Sequence, residues 1–148
     1  MSIYRFWRHG NGEDCSKPME ITIEVNAMNE PAIDMPELLE RIQYNYTLLP
    51  SLMAASQDVI ISRRASLHEN HNRQRETEIR ELIHLIKGSA ANLSANAVFN
   101  TCMRIENEAG KGYLIALEEN IAVLDRQLTE LEDYIAQILS SQKNHIRE

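Results

Sequence analysis

The chain has 148 residues, of which 43% are apolar, 25% charged and 5% aromatic, with a formal net charge of −7 at pH 7. That length suits one ordinary domain with its own core and argues against two, and the composition is globular rather than disordered. The surplus of acid argues against a general nucleic-acid binder, which needs Lys and Arg in excess on its contact face, although a local basic patch stays compatible with it.

Cys15 and Cys102 lie far apart, and Cys102 falls at a helical core position, so the cysteines imply neither a disulfide framework nor a metal knuckle and fit a reducing, cytoplasmic setting. No run approaches the roughly 18 consecutive apolar residues of a membrane span, and the N-terminus lacks the apolar centre of a signal peptide. A soluble protein is expected. Scarce aromatics with plentiful Leu, Ile and Ala point to helices.

Residues 1–31 carry Gly10, Gly12, Pro18 and Pro31 without helical periodicity and read as a tail or linker. Within them Ile21, Ile23 and Val25 alternate with Thr22 and Glu24, a strand pattern. A lone strand has nothing to pair with, so it is expected to lie extended against the helices. The run Tyr4-Arg5-Phe6-Trp7-Arg8 is either a contact segment or a cloning-derived remnant, with the remnant favoured.

The domain spans 32–141. Asp34 caps its first helix, with Pro36 tolerated in the first turn and Glu37 completing a capping-box-like pattern, and this short helix runs to about Tyr44. A second helix starts near Thr47 with Pro50 in its first turn and runs toward Leu67, closed by the polar stretch Glu69 to Gln74. The third covers about Glu76 to Leu93, and Asn92 and Ser94 mark a turn. The fourth, about Ala95 to Ala109, has Val98, Cys102, Ile105 and Ala109 at spacings of four, three and four, and Gly110 and Gly112 end it. The fifth carries Leu117, Ile121, Leu124, Leu128, Leu131, Ile135 and Ile138 alternately four and three apart, a heptad seam. Such a seam zips either a dimer or the chain's own bundle, and the intramolecular use is favoured. Residues 142–148 are read as a fraying C-terminal tail. The expected fold is all-α: a four-helix bundle of antiparallel helices with a short additional N-terminal helix.

No GxxxxGK[ST] phosphate loop, GxGxxG after a strand, HExxH or pair of CxxC motifs is present, so stand-alone catalysis has little support. His68 and His71, three apart, could share a metal on one helical face, but the lack of further ligands favours a solvated helix end, and no metal site is expected. His9 and His145 lie in the expected tails.

His84 stands apart. At about 100° per residue, Ile79, Leu82, Ile83, Ile86, Ala90 and Leu93 share one side of the third helix, and His84 projects from the other, toward water. Lys87 and Gly88 lie one turn on, with Ala91, Thr77 and Arg80 farther round the same face. Glycine inside a helix costs roughly 1 kcal/mol relative to Ala. Gly88 therefore calls for a reason: either clearance for another protein's surface over the imidazole, or close packing between helices, which its position away from the core disfavours. A lysine ammonium about 5 Å from a phosphorylated imidazole would contribute roughly 3 kcal/mol at an effective dielectric of 20, less after screening.

The stretch His84-Leu85-Ile86-Lys87-Gly88-Ser89-Ala90-Ala91-Asn92-Leu93 closely resembles the histidine-containing phosphotransfer (HPt) domain of bacterial multistep phosphorelays, with its signature His-x-[LIV]-Lys-Gly-[SA]. The resemblance runs on through Ser94-Ala95, where the family usually has Gly-Ala, to Cys102 and Ile105-Glu106-Asn107-Glu108-Ala109, similar to its Leu-Glu-x-x-Ala stretch. Upstream, Ile33-Asp34 and Leu38-Leu39 look like the family's opening helix, so about residues 33 to 140 are covered. Two departures stand out: Ser94 replaces a turn-easing glycine, and Glu106 occupies a position where some members carry Gln. A carboxylate there would repel a phosphoryl group unless it points away or pairs with Lys87.

The resemblance implies a phosphorelay intermediate. His84 would accept a phosphoryl group, on its outer ring nitrogen, from the aspartate of a response-regulator receiver domain, and would pass it to another receiver. Lys87 would stabilise the group electrostatically, and Arg80, Gly88, Ala91, Met103 and Glu106 would form the docking ring, Met103 serving equally well as core filling. The chain would need no cofactor of its own and have no autonomous kinase activity, Mg²⁺ being expected in the partner receiver domain. Expected partners are receiver domains and a hybrid sensor histidine kinase, with no nucleic acid and no membrane insertion. A monomer is expected, in the cytoplasm or as the cytoplasmic C-terminal module of a membrane-bound hybrid kinase. Two alternatives stay open: a helical adaptor that dimerises through residues 117 to 138, and a fragment of a sensor histidine kinase. Kinases of that kind carry His-Glu-[IL]-Arg-[ST]-Pro-Leu; His68-Glu69-Asn70-His71 begins similarly but lacks the continuation.

Overall fold

The computed structural model describes residues 3–7, 18–22 and 31–146, with side chains described for 31–141. Its helices are α1 (Met35–Arg41), α2 (Leu48–Asn72), α3 (Glu76–Leu93), α4 (Asn96–Glu108) and α5 (Tyr113–Ile146), with a 3-10 turn, Ala109–Lys111, between α4 and α5. Turns of only a few residues between successive long helices force each to double back on the one before. The pairs α2/α3, α3/α4, α4/α5 and α5/α2 make the main contacts, which closes the ring of an antiparallel four-helix bundle.

The apolar faces read from the periodicity are the ones buried, Leu82 only in part. Ile79, Ile83, Ile86, Ala90 and Leu93 of α3 are at most 4% exposed and meet Val98, Cys102 and Ile105 of α4 in one continuous core. The seam of α5 is consumed inside the molecule: Leu117, Leu124, Leu128, Leu131, Ile135 and Ile138 belong to that core, and Ile121 packs at its edge. Short α1 covers one end of the bundle through Ile33, Met35, Leu38 and Leu39, all buried. Asp34 caps it as expected, its Oδ1 accepting from the Glu37 amide at 3.1 Å. The other half of the capping box does not form. The Asp34 amide donates to the Ser94 carbonyl, and the Glu37 carboxylate accepts from the Ser94 hydroxyl at 3.2 Å, which ties α1 to the α3–α4 corner.

Three helix ends and one strand differ from the sequence expectations. The first helix stops at Arg41 rather than near Tyr44, because Gln43 and Tyr44 are both left-handed. The second runs through the polar stretch to Asn72 instead of closing at Leu67, and α5 carries that extension: His68 Nε2 lies 2.7 Å from Asp125 Oδ1, and His71 Nε2 2.6 Å from Glu118 Oε2. The two histidines thus serve separate interhelical pairs and are not simply a solvated helix end. α5 continues past 141 to Ile146. The strand-like segment is not alone: β2 (Pro18–Thr22) pairs antiparallel with β1 (Ile3–Trp7), Ile21 opposite Tyr4, and β2 lies against α5. The partner strand comes from the aromatic run that was read as a remnant or contact segment, and Pro18 sits at the strand's first position, where a missing N–H does least harm. His9, Gly10, Gly12, Cys15, Ile23, Val25 and the side chain of His145 lie outside the described residues.

Ser94 answers the question raised by its missing glycine. It takes the left-handed conformation itself, φ 55° and ψ 35°, while 1% exposed. A serine tolerates this at a modest cost and recovers part of it through the hydrogen bond to Glu37. A β-branched residue would not. Ser94→Val is expected to lower stability by about 2 kcal/mol in denaturant titrations, and Ser94→Gly to stay within about 1 kcal/mol of the parent, relief of the backbone offsetting the lost hydroxyl.

The α2/α5 seam also carries Arg64, whose guanidinium meets Asp125 at 2.9 Å and Glu132 at 3.1 Å. Burial alone would raise the Asp125 carboxyl, but the hydrogen bonds from His68 and Arg64 outweigh it and hold the group below the usual carboxylate range. A depressed folded-state pKa means stabilisation that is present above the unfolded value near 4 and is lost as pH falls through the folded value. Acid titration of stability should therefore be shallower in Asp125→Asn below about pH 4. The difference should be under about 1 kcal/mol, because the cluster is partly exposed.

The surface around His84

α3 presents the site because its buried stripe fixes its rotation. With Ile83 and Ile86 locked in the core, His84 is turned outward and its side chain is 73% exposed. Glu76 and Glu78 in the first turn complement the helix dipole. From α2, the Arg63 guanidinium donates to the Leu85 carbonyl at 2.8 Å and to the Ser89 hydroxyl, which clamps the helix at the level of the histidine.

Above Gly88 the ground is open. A methyl group placed on its Cα would meet nothing within 4 Å, so the residue is not a packing point between helices. Close helix contact therefore does not explain this glycine. Leu85, beside the histidine, is 48% exposed. Ala91 is partly buried and its carbonyl accepts from Arg41 Nη1 at 2.5 Å. Met103 on α4 is half-buried, neither in the core nor standing clear of it.

Lys87 does not stand free beside the imidazole. Its Nζ lies 2.7 Å from Glu106 Oε2, in a pair whose side chains are 20% and 27% exposed, while Glu106 Oε1 lies 3.8 Å from His84 Nδ1. The last separation is too long for a hydrogen bond. So the carboxylate flagged as a misfit sits between the two groups expected to matter and takes the second arrangement allowed for it, pairing with Lys87. Its neighbour on the core side is Cys102, fully buried, whose thiol burial and then the Glu106 charge push up to about 12 against a smaller opposing pull from Lys87.

Arg80, one turn before His84, is held by stacking over the Tyr113 ring at 5.0 Å and by Glu76 at 3.8 Å. Tyr113 opens α5, and its hydroxyl is buried without a hydrogen-bond partner among the described residues. Burial first, then the charge of Glu106 and the proximity of Cys102, push its phenol well above the ordinary range, with Arg80 pulling the other way.

The folded chain therefore gathers Arg80, His84, Lys87, Gly88 and Glu106 on one side of the α3/α4 pair. Arg63, Leu85 and Tyr113 join them unannounced. Leu85 was legible from its own neighbour, lying about 100° from His84 and outside the buried stripe; Arg63 and Tyr113 come from other helices and leave no local signal. Among the described residues no group of three or more His, Cys, Asp or Glu is placed to hold a metal ion.

Comparison with known proteins identifies the family and the fold. The family model "Hpt domain" matches residues 32–140. Among solved structures, the HPT domain of the Hpt sensor hybrid histidine kinase from Shewanella superposes with a TM-score of 0.67 at 17% sequence identity, over 74% of this chain and 94% of that one. No curated protein sequence matches. With more than two thirds of its length matched by the family model and the bundle shared with a solved member, the chain belongs to the Hpt domain family, the phosphotransfer modules of phosphorelays.

Proposed function

We propose that His84 is the phosphoacceptor of a phosphorelay, taking a phosphoryl group from a receiver-domain aspartate and passing it to another. The observation that carries this reading is an imidazole 73% exposed on a helix whose buried stripe fixes its rotation, with open space over Gly88 one turn away. The Nε2 lone pair attacks phosphorus, the N–P bond forms, and the P–O bond to the receiver aspartate breaks as its carboxylate leaves with the electron pair. Nδ1 keeps its hydrogen on the side of Glu106. In-line transfer depends on positioning and charge stabilisation, which the partner's Mg²⁺ and this chain's rigid helix divide between them.

The docking surface under this reading comprises Arg80, Gly88, Ala91, Met103 and Glu106, to which Leu85 is added as an exposed apolar contact beside the nucleophile. Its partners are receiver domains and the hybrid kinase that carries or supplies them. No helix among the described residues is long and apolar enough to cross a membrane, and a cytoplasmic location suits such partners. A monomer is favoured over the adaptor alternative because the heptad seam that suggested a dimer is already covered by the protein's own helices. The test is to incubate the protein with a receiver domain carrying radiolabelled aspartyl phosphate. Label that appears on this chain, is lost in acid and maps to His84 supports the reading; label elsewhere, or none, overturns it.

A further inference from the structure

The Lys87–Glu106 pair bears on how long a phosphoryl group stays on His84, an inference that rests on the reading of His84 above. Two opposite charges meet beside the imidazole: Glu106 Oε2 is 2.7 Å from Lys87 Nζ, and Glu106 Oε1 is 3.8 Å from His84 Nδ1. The side chains are about a quarter exposed, so water screens them only in part. Lys87 and Glu106 sum to zero. A dianionic phosphoryl group arriving on Nε2 therefore finds the Lys87 ammonium already engaged.

We propose that Glu106 is a positioning residue that acts through Lys87: it draws the ammonium away from the phosphoryl group, which leaves phospho-His84 a short-lived and ready donor. The sequence could pose this question but could not settle it, since a Glu106 turned to solvent would have left Lys87 free. The consequence is directional. Loss of the phosphoryl group breaks the N–P bond, returns the electron pair to Nε2, and hands phosphorus to water or to a receiver carboxylate. Its loose transition state spreads less charge on the phosphoryl oxygens than the ground state carries, so an unencumbered ammonium steadies the ground state more and slows departure. With a neutral amide in place of the carboxylate, Lys87 keeps its full charge for the phosphoryl group.

The experiment uses phosphoramidate as donor, so that no partner protein is needed: His84 Nε2 displaces ammonia, the donor's P–N bond breaking as the new N–P bond forms. Decay of the phosphorylated protein is followed by ³¹P NMR in the parent, in Glu106→Gln, in Lys87→Met and in the double variant. Glu106→Gln is expected to lengthen the lifetime of phospho-His84 roughly tenfold, and that gain should vanish in the Lys87→Met background, a dependence that a merely structural role would not show. Glu106→Asp should decay like the parent. An unchanged or shorter lifetime in Glu106→Gln overturns the proposal, as does an equal gain with Lys87 absent, which would assign the effect to direct repulsion. Phosphoramidate label that maps to a residue other than His84 overturns the underlying reading instead.

Discussion

His84→Gln should abolish phosphoryl transfer while leaving the protein folded. The amide side chain has nearly the reach of the imidazole and keeps its polarity, but its nitrogen lone pair is delocalised into the carbonyl and does not attack phosphorus. Label recovered from a phosphorylated receiver should fall by at least about a thousandfold, since no other histidine among the described residues stands on this face. The other described histidines, His68 and His71, are engaged with Asp125 and Glu118 on the α2/α5 side of the bundle. Stability should move by no more than about 0.5 kcal/mol, because the side chain is 73% exposed and makes no hydrogen bond to the described residues. The pair of measurements is decisive: a folded variant that still takes up acid-labile label would remove His84 from the mechanism.

Gly88 offers the second large effect, and in it stability and function move in opposite directions. Among the described residues nothing across the helix lies within 4 Å of a Cβ added there, so a side chain can leave the helix at this position without a clash at its root. Because glycine is a poor helix former, Gly88→Ala should stabilise by about 0.5–1 kcal/mol and raise the thermal midpoint by a few degrees. Gly88→Gln should also be at least as stable as the parent. Yet its side chain would rise over the surface on which a receiver must settle to bring phosphorus within about 3.5 Å of Nε2. Transfer is expected to fall by about a hundredfold or more in Gly88→Gln and far less in Gly88→Ala. Chemical labelling of His84 by phosphoramidate should be little affected in both, because a small donor needs no docking surface. If Gly88→Gln transfers at the parent rate, clearance is not why the glycine is there.

Much of the architecture is legible in the sequence. The stripe Ile79, Ile83, Ile86, Ala90 and Leu93 is a local pattern, and a helix must bury such a stripe whatever it packs against, so the outward direction of His84 followed from geometry alone. The same holds for the Asp34 cap, which acts within one turn. The seam of α5 was legible as a seam but not as to what covers it. Periodicity says that a face is apolar; it does not say whether the partner belongs to the same chain, and only the packed bundle places α2 and α4 against it.

What the sequence by itself determined, then, is the set of helices, the face of α3 that carries His84 and Gly88, and the motif that marks the family. The tertiary structure alone decided who stands around that histidine. Lys87 and Glu106 are 19 residues apart, Arg63 and Leu85 22 apart, and Arg80 and Tyr113 sit on different helices. Each of these meetings depends on the axial register between neighbouring helices. That register is set by how the core side chains interdigitate, a sum of many small contacts along α2 to α5, and a shift of one turn, about 5.4 Å, would separate every one of these pairs. The left-handed Ser94 belongs with them, since its strain persists because α1 is tied to that corner.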